Sequence, residues 1–249
     1  MIEQQKPARV ALITGGARGI GRAIGVSLAA RGWSVSICYR TSAEDARSAV
    51  QEFENAGGRG LAQQADVSDP ANCERLVRTT ESELGPIDAF IHCAGPYHRV
   101  GLLKETHAGW REMFDANLHS AFYLAQLVSP GMQERNWGRI LTFGMAGADR
   151  LNAQPFVTAH AIAKAGLLAL TRTLAKILAA NGVTANTISP GFIDSGSAPS
   201  EELAHMATKI PAGRIGELSD AVGAANYLLS DEARYVTGTN LVISGGWGV

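Results

Sequence analysis

Short apolar runs rich in β-formers alternate with amphipathic helical stretches along most of this 249-residue chain, and that alternation limits the fold more than any other feature. The apolar runs are Val10–Thr14, Ser34–Tyr39, Gly60–Gln64, Ala89–Cys93, Gly138–Phe143, Thr184–Ile188 and Asn240–Ile243. Between them lie Gly19–Ala30, Ala43–Ala56, Pro70–Leu84, Gly109–Gln133, Phe156–Ala180 and Ser219–Leu229. Strands joined through helices pair in parallel, and right-handed crossovers wind those helices onto both faces of the sheet. The expectation is an α/β fold: one doubly wound domain over residues 1–249, with a seven-stranded, mostly parallel sheet. Its ligand belongs beyond the carboxyl ends of the strands. The stretch 192–214 shows neither a clear strand nor a long helix and is expected to be a substrate flap.

One strand-to-helix turn carries chemistry. Thr14-Gly15-Gly16-Ala17-Arg18-Gly19-Ile20-Gly21 follows the first apolar run and opens the first helix. Glycines there permit a tight bend and let backbone N–H groups approach a pyrophosphate at a helix N-terminus. An acidic residue about 20 positions on would grip a ribose 2′-hydroxyl. Arg40 stands there instead, with Thr41 and Ser42 beside it. A planar guanidinium suits a 2′-phosphate, and Arg18 offers a second, so the expected cofactor is NADP(H). Asp66 is read as the adenine contact, because Asp69, just before Pro70, is the better helix cap.

Composition narrows the classes. The net charge of −1 gives no reason to expect nucleic acid or an anionic membrane as partner. Met1–Arg9 is polar, and the helix near Ala161–Ala180 carries Lys164, Arg172 and Lys176, so neither a signal peptide nor a membrane span is expected. Three scattered cysteines read as reduced thiols of a cytoplasmic protein. His92, Cys93, Tyr97, His98 and His107 lack metal-ligand spacing, and no metal is expected.

The glycine turn and the motifs after it resemble the short-chain dehydrogenase/reductase family over nearly the whole chain, nearest in tone to its 3-oxoacyl-carrier-protein reductases. The resemblance implies a Rossmann-like fold. It also implies a nicotinamide cofactor held by Gly15, Arg18, Gly19, Ile20, Gly21, Arg40, Thr41, Asp66, Val67, Ala94, Gly95, Lys164, Pro190, Gly191 and Ile193. Cys93-Ala94-Gly95 stands where the family has Asn-Ala-Gly, Asn117 matches a helix-kinking asparagine, and Asn186–Gly191 matches a loop under the nicotinamide. Pro211–Gly216 resembles a segment common in the 3-oxoacyl branch. The family assembles through its long middle helices and last strand. A homo-oligomer, dimer or tetramer, is therefore expected, or pairing with a catalytically intact homologue.

Two departures stand at the catalytic positions. Met145 occupies the place of the family's serine and His160 that of its tyrosine, four residues before Lys164. His160, Lys164 and Asn117 are the catalytic candidates. His160 and Lys164 share one helical face, where a neighbouring ammonium disfavours the imidazolium. His160 either takes part in acid chemistry or is a polar residue in a pocket without that role; Asn117 either distorts its helix or is an ordinary buried amide. Tyr97 or His98 could line the pocket and stand in for the missing acid. Gly147-Ala148-Asp149-Arg150 and His92 faintly resemble the divergent enoyl-carrier-protein reductases. The expected activity is NADPH-dependent reduction of a ketone such as a 3-oxoacyl thioester, with enoyl reduction or a non-catalytic cofactor-binding scaffold as alternatives.

Overall fold

The computed structural model describes residues 8–196 and 200–248. Most of the polar segment Met1–Arg9 and residues 197–199 of the expected flap lie outside the described residues.

Seven strands form one sheet in the order β3-β2-β1-β4-β5-β6-β7. They are β1 Val10–Thr14, β2 Ser34–Tyr39, β3 Arg59–Gln64, β4 Ile87–His92, β5 Gly138–Phe143, β6 Val183–Pro190 and β7 Asn240–Ile243. The helices are α1 Gly19–Ala29, α2 Ala43–Asn55, α3 Pro70–Leu84, α4 His107–Phe114, α5 Ser120–Glu134, α6 Thr158–Leu178, α7 Ser200–Ala207 and α8 Leu218–Leu229. Every strand pair is parallel, so the sheet is parallel throughout rather than mostly so. The order in which successive strands are added reverses between β1 and β4, and a crevice opens at such a switch point.

The pleat of β1 shows how the sequence builds two cores. Val10 and Leu12 join one buried cluster with Leu76 of α3, Leu124 and Val128 of α5 and Leu174 of α6. Ala11 and Ile13 face the opposite cluster with Ile24 and Leu28 of α1, Phe53 of α2 and Leu228 of α8. A strand covered on both faces reads as a near-continuous apolar run, and β1, apolar from Val10 to Ile13, is buried throughout. Asp69 caps α3 by accepting from the Ala71 N–H, with Pro70 in the first turn, as the sequence predicts.

Three boundaries correct the sequence reading. The fourth strand starts at Ile87 and ends at His92, leaving Cys93 in the following loop. Asp88 sits inside it because its carboxylate accepts from the Val10 N–H at 2.9 Å. The stretch Gly109–Gln133 is not one helix. It begins in α4 and passes through a π-helical turn, Asp115–His119, before α5. Such a bulge shifts the phase of the helix and often marks a functional site. Finally, α6 begins at Thr158 rather than Phe156, because Pro155 and Phe156 lie in a turn whose carbonyls accept from Leu102 and Val100. The 192–214 stretch contains α7, so part of it is helical.

Candidate functional site

The turn from β1 into α1 opens the site. Gly15 and Gly19 hold φ values of +65° and +53°, a region closed to most side chains. A Cβ on Gly15 would lie 3.0 Å from the Ala94 nitrogen, and one on Gly21 would lie 2.8 Å from the Gly15 carbonyl oxygen. The turn thus packs directly on the loop after β4. Helix α1 has no side-chain cap and no acidic residue in its first turn. Its N–H groups are left for a ligand, and an anion suits them. The residues present therefore fit a pyrophosphate.

Two adjoining cavities follow the carboxyl edge of the sheet. The first is lined by Gly15, Arg18, Arg40, Thr41, Ser42, Asp66, Val67, Ala94 and Gly95 among others. The second is lined by Gly15, Arg18, Gly19, Ile20, Gly21, Pro190, Gly191 and Ile193, with Cys93 and Ser195. All the residues singled out for a dinucleotide meet here except Lys164, which lies behind the wall. A Cβ on Gly95 would strike Asn117 Oδ1 and come within 3.3 Å of Lys164 Nζ. Cys38, Pro96 and Ala116 also line the first cavity; small apolar residues carry no sequence signal for that role.

The electrostatics differ along this groove. At one end the guanidinium of Arg40 pairs with Glu112 at 3.3 Å, and Arg18 approaches Asp45 at 3.6 Å. Asp66 accepts from the backbone N–H and hydroxyl of Ser68. Partial burial pushes its carboxyl up, but those bonds and Arg40 outweigh it and hold the group below its usual range. At the other end the groups are buried. Lys164 donates to the Phe143 carbonyl at 2.6 Å, and burial pushes its ammonium down to about 8. Burial raises the Cys93 thiol to about 12, against the pull of Lys164, so it stays protonated.

His160 and Lys164 share the buried face of α6, as their spacing predicts. Burial first, and Lys164 second, lower His160 to about 4. Its Nδ1 has no hydrogen-bond partner, and neither has Asn117 Oδ1. Asn117 Nδ2 donates to the Pro96 carbonyl from within the π-helical turn, so this asparagine does sit at a helix distortion. Tyr97 and His98 do not line either cavity of the groove. Tyr97 packs edge-on against His160, with ring centroids 5.3 Å apart, and His98 is drawn to Glu105 at 2.6 Å. Met145 faces a separate, largely apolar cavity with Ala148, Leu151 and Ala161.

His92 stands at a strand end, as the last residue of β4, and is wholly buried. One tautomer satisfies its surroundings. The Thr14 hydroxyl donates to Nδ1, Nε2–H donates towards Ser120 Oγ, and Ser120 donates to the Ala116 carbonyl. Thr14 Oγ1 also accepts from the Ala94 N–H, so this chain of bonds anchors the wall of the groove. Burial, then Lys164, lowers His92 to about 3. Among the described residues no group of three or more His, Cys, Asp or Glu side chains is placed to hold a metal ion. No helix among them is long and apolar enough to cross a membrane.

These two neutral histidines set an acid limit. The unfolded chain takes up a proton at each near pH 6.5, whereas the folded protein resists until about 4 and 3. The unfolded state therefore binds more protons across that window, and stability falls as pH drops from 6.5. Each histidine contributes a slope approaching about 1.4 kcal/mol per pH unit. Denaturant titrations between pH 7 and 4.5 should show the loss, and His160→Gln should reduce its slope by about half, leaving the His92 share. A flat profile in the parent protein would contradict this assignment.

Comparison with known proteins follows the same outline. The model of a family described as enoyl-(acyl carrier protein) reductase matches residues 15–248. The chain is 34% identical over 241 residues to the 3-oxoacyl-(acyl-carrier-protein) reductase FabG of Escherichia coli (strain K12), covering 96% of each. It is 34% identical over 245 residues to the FabG of Staphylococcus aureus (strain Mu50), covering 97% of this chain and 98% of the relative. Among solved structures, a short-chain dehydrogenase/reductase from Serratia marcescens superposes with a TM-score of 0.91 at 31% identity, over 98% of this chain and 99% of that one. A blue fluorescent protein from a metagenomic library, in complex with NADPH, superposes with a TM-score of 0.90 at 34% identity, over 99% and 100%.

Proposed function

The chain belongs to the short-chain dehydrogenase/reductase family, and from that premise we propose that it is an NADPH-dependent oxidoreductase that reduces a ketone, such as that of a 3-oxoacyl thioester. The observation that carries the reading is Arg40. Its guanidinium follows β2 and borders the same cavity as Gly15, Arg18 and Asp66. A 2′-phosphate reaching that end of the groove meets two guanidiniums and the hydroxyls of Thr41 and Ser42, which form charge-assisted bonds to phosphate oxygens. Gly15 to Gly21 take the pyrophosphate, Asp66 and Val67 the adenine, and Pro190, Gly191 and Ile193 the nicotinamide end.

When bound, the reduced nicotinamide supplies a hydride. The chain must then orient the carbonyl and provide a proton to its oxygen. Neutral His160 has one N–H, which is turned to the Pro96 backbone, and it is a poor proton source, because losing that proton would leave an imidazolate. Lys164, whose ammonium titrates near 8, is the better reservoir at neutral pH. Asn117 Oδ1, buried without a partner, stands against Gly95 as Lys164 Nζ does and can accept from a water that links Lys164 to the substrate. Met145 offers no oxyanion donor; it lines the separate apolar cavity with Ala148 and Leu151.

The same absence of donors favours a second reading, a cofactor-binding scaffold with little turnover; the family description favours a third, reduction of an enoyl thioester. Loss of NADPH absorbance with a 3-oxoacyl thioester, a simple ketone and an enoyl thioester separates them. Consumption with the 3-oxoacyl substrate is expected. Tight NADPH binding with no consumption would leave the scaffold, and consumption confined to the enoyl substrate would leave the third reading. We also propose a cytoplasmic homo-oligomer packed through α5 and α6, where Phe122, Ile162 and Ile177 are exposed. Phe192, which packs on Trp247 at 4.7 Å, marks the base of the proposed flap.

A further inference from the structure

We infer that Glu112 sets how strongly the groove prefers a phosphorylated dinucleotide, by competing with the 2′-phosphate for Arg40. This rests on the cofactor reading above. Arg40 Nη1 lies 3.3 Å from Glu112 Oε1, and both side chains are about half exposed, at 58% and 46%. The pair joins elements 72 residues apart, the end of β2 and the helix α4. A side cavity lined by Arg40, Asp66, Ser68, Arg111, Glu112, Asp115 and Ala116 among others adjoins the groove and shares Arg40, Asp66 and Ala116 with it; Arg111 donates to the His107 carbonyl. Of the carboxylates on this rim, Asp66 is engaged by Ser68 and Asp115 by His119 at 2.8 Å. Glu112 is the one directed at the guanidinium.

The consequence is a trade. A phosphate monoester carries close to two negative charges at neutral pH. To grip it bidentately, Arg40 must turn its fork from the carboxylate or divide it between two anions. Glu112 then stands unpaired beside the phosphate and repels it. A dinucleotide with a free 2′-hydroxyl asks nothing of Arg40 and leaves the ion pair intact. Glu112 thus weakens the phosphorylated cofactor selectively, without touching the nicotinamide end. Exposed ion pairs are individually weak, which bounds the effect to a modest factor.

The test is calorimetric titration of the parent protein and Glu112→Gln with NADPH, NADH, adenosine 2′,5′-bisphosphate and 5′-AMP. Glu112 is exposed and its replacement isosteric, so the fold is retained. NADPH and the bisphosphate should bind about two- to fivefold more tightly to the variant, with NADH and AMP unchanged. A parent protein that holds NADH as well as NADPH overturns the cofactor reading and this inference with it. A parent that prefers NADPH, with a variant that binds NADPH no more tightly or more weakly, overturns the role of Glu112 alone. Equal tightening for all four ligands also overturns it, because the effect would then not pass through the phosphate.

Discussion

Replacing both catalytic-position departures, Met145→Ser and His160→Tyr, should raise NADPH-dependent reduction of a 3-oxoacyl thioester by about 10²–10⁴-fold, the usual contribution of a positioned acid. Position 160 lies on the buried face of α6, one helical turn before Lys164. A phenol placed there gains an ammonium neighbour that lowers its pKa from near 10 towards neutrality. The ring needs more room than imidazole. Tyr97, which meets His160 edge-on, is largely exposed and free to swing aside. A serine at 145, in the loop after β5, adds the hydroxyl that a thioether lacks for a developing oxyanion. The single changes should each give less, since the two groups act on one oxygen. Steady-state turnover of the three variants decides the matter. A double variant that folds and holds NADPH but gains nothing would show that these two positions do not limit the reaction.

Arg40→Asp should cost about 100-fold in NADPH affinity while leaving NADH nearly unchanged or slightly improved. Bonds from a charged group to phosphate are worth about 1.5–3 kcal/mol, and charge reversal adds repulsion to their loss. The exposed Arg40 makes one ion pair, to Glu112, so thermal stability should move little. An acidic residue after β2 also suits a ribose hydroxyl, which is why NADH has room to gain. Competition titrations with both nucleotides check it, and equal losses for the two would remove the phosphate from the account.

Much of this was legible from pattern alone, for a physical reason. Strands buried on both faces read as near-continuous apolar runs, and β1, β2 and β5 match their expected limits even with Ser34, Ser36, Arg139 and Thr142 buried among them. The groove was legible because glycines and an arginine sit at fixed offsets from strand ends. What escaped depends on distant partners. The start of β4 was hidden because Asp88 looks like a loop residue until Val10, 78 positions away, supplies its N–H donor. The π-helical turn escaped because one extra residue breaks the 3.6-residue phase that identifies a helix; only the family resemblance singled out Asn117 there. Glu112 is an ordinary helix-surface acid in sequence, and its meaning comes from the 72-residue separation that folding closes. The neutrality of His160 was foreseeable from Lys164, but the larger cause, burial, belongs to the tertiary structure.

The central claim is that a guanidinium at the end of β2 selects the phosphorylated dinucleotide. Equilibrium binding of NADPH and NADH to the unmodified protein, followed by quenching of tryptophan fluorescence, tests it without reference to substrate. NADPH bound at least about tenfold more tightly than NADH, a difference of about 1.4 kcal/mol, is the predicted result. Equal affinity for the two, a preference for NADH, or no binding of either would contradict it.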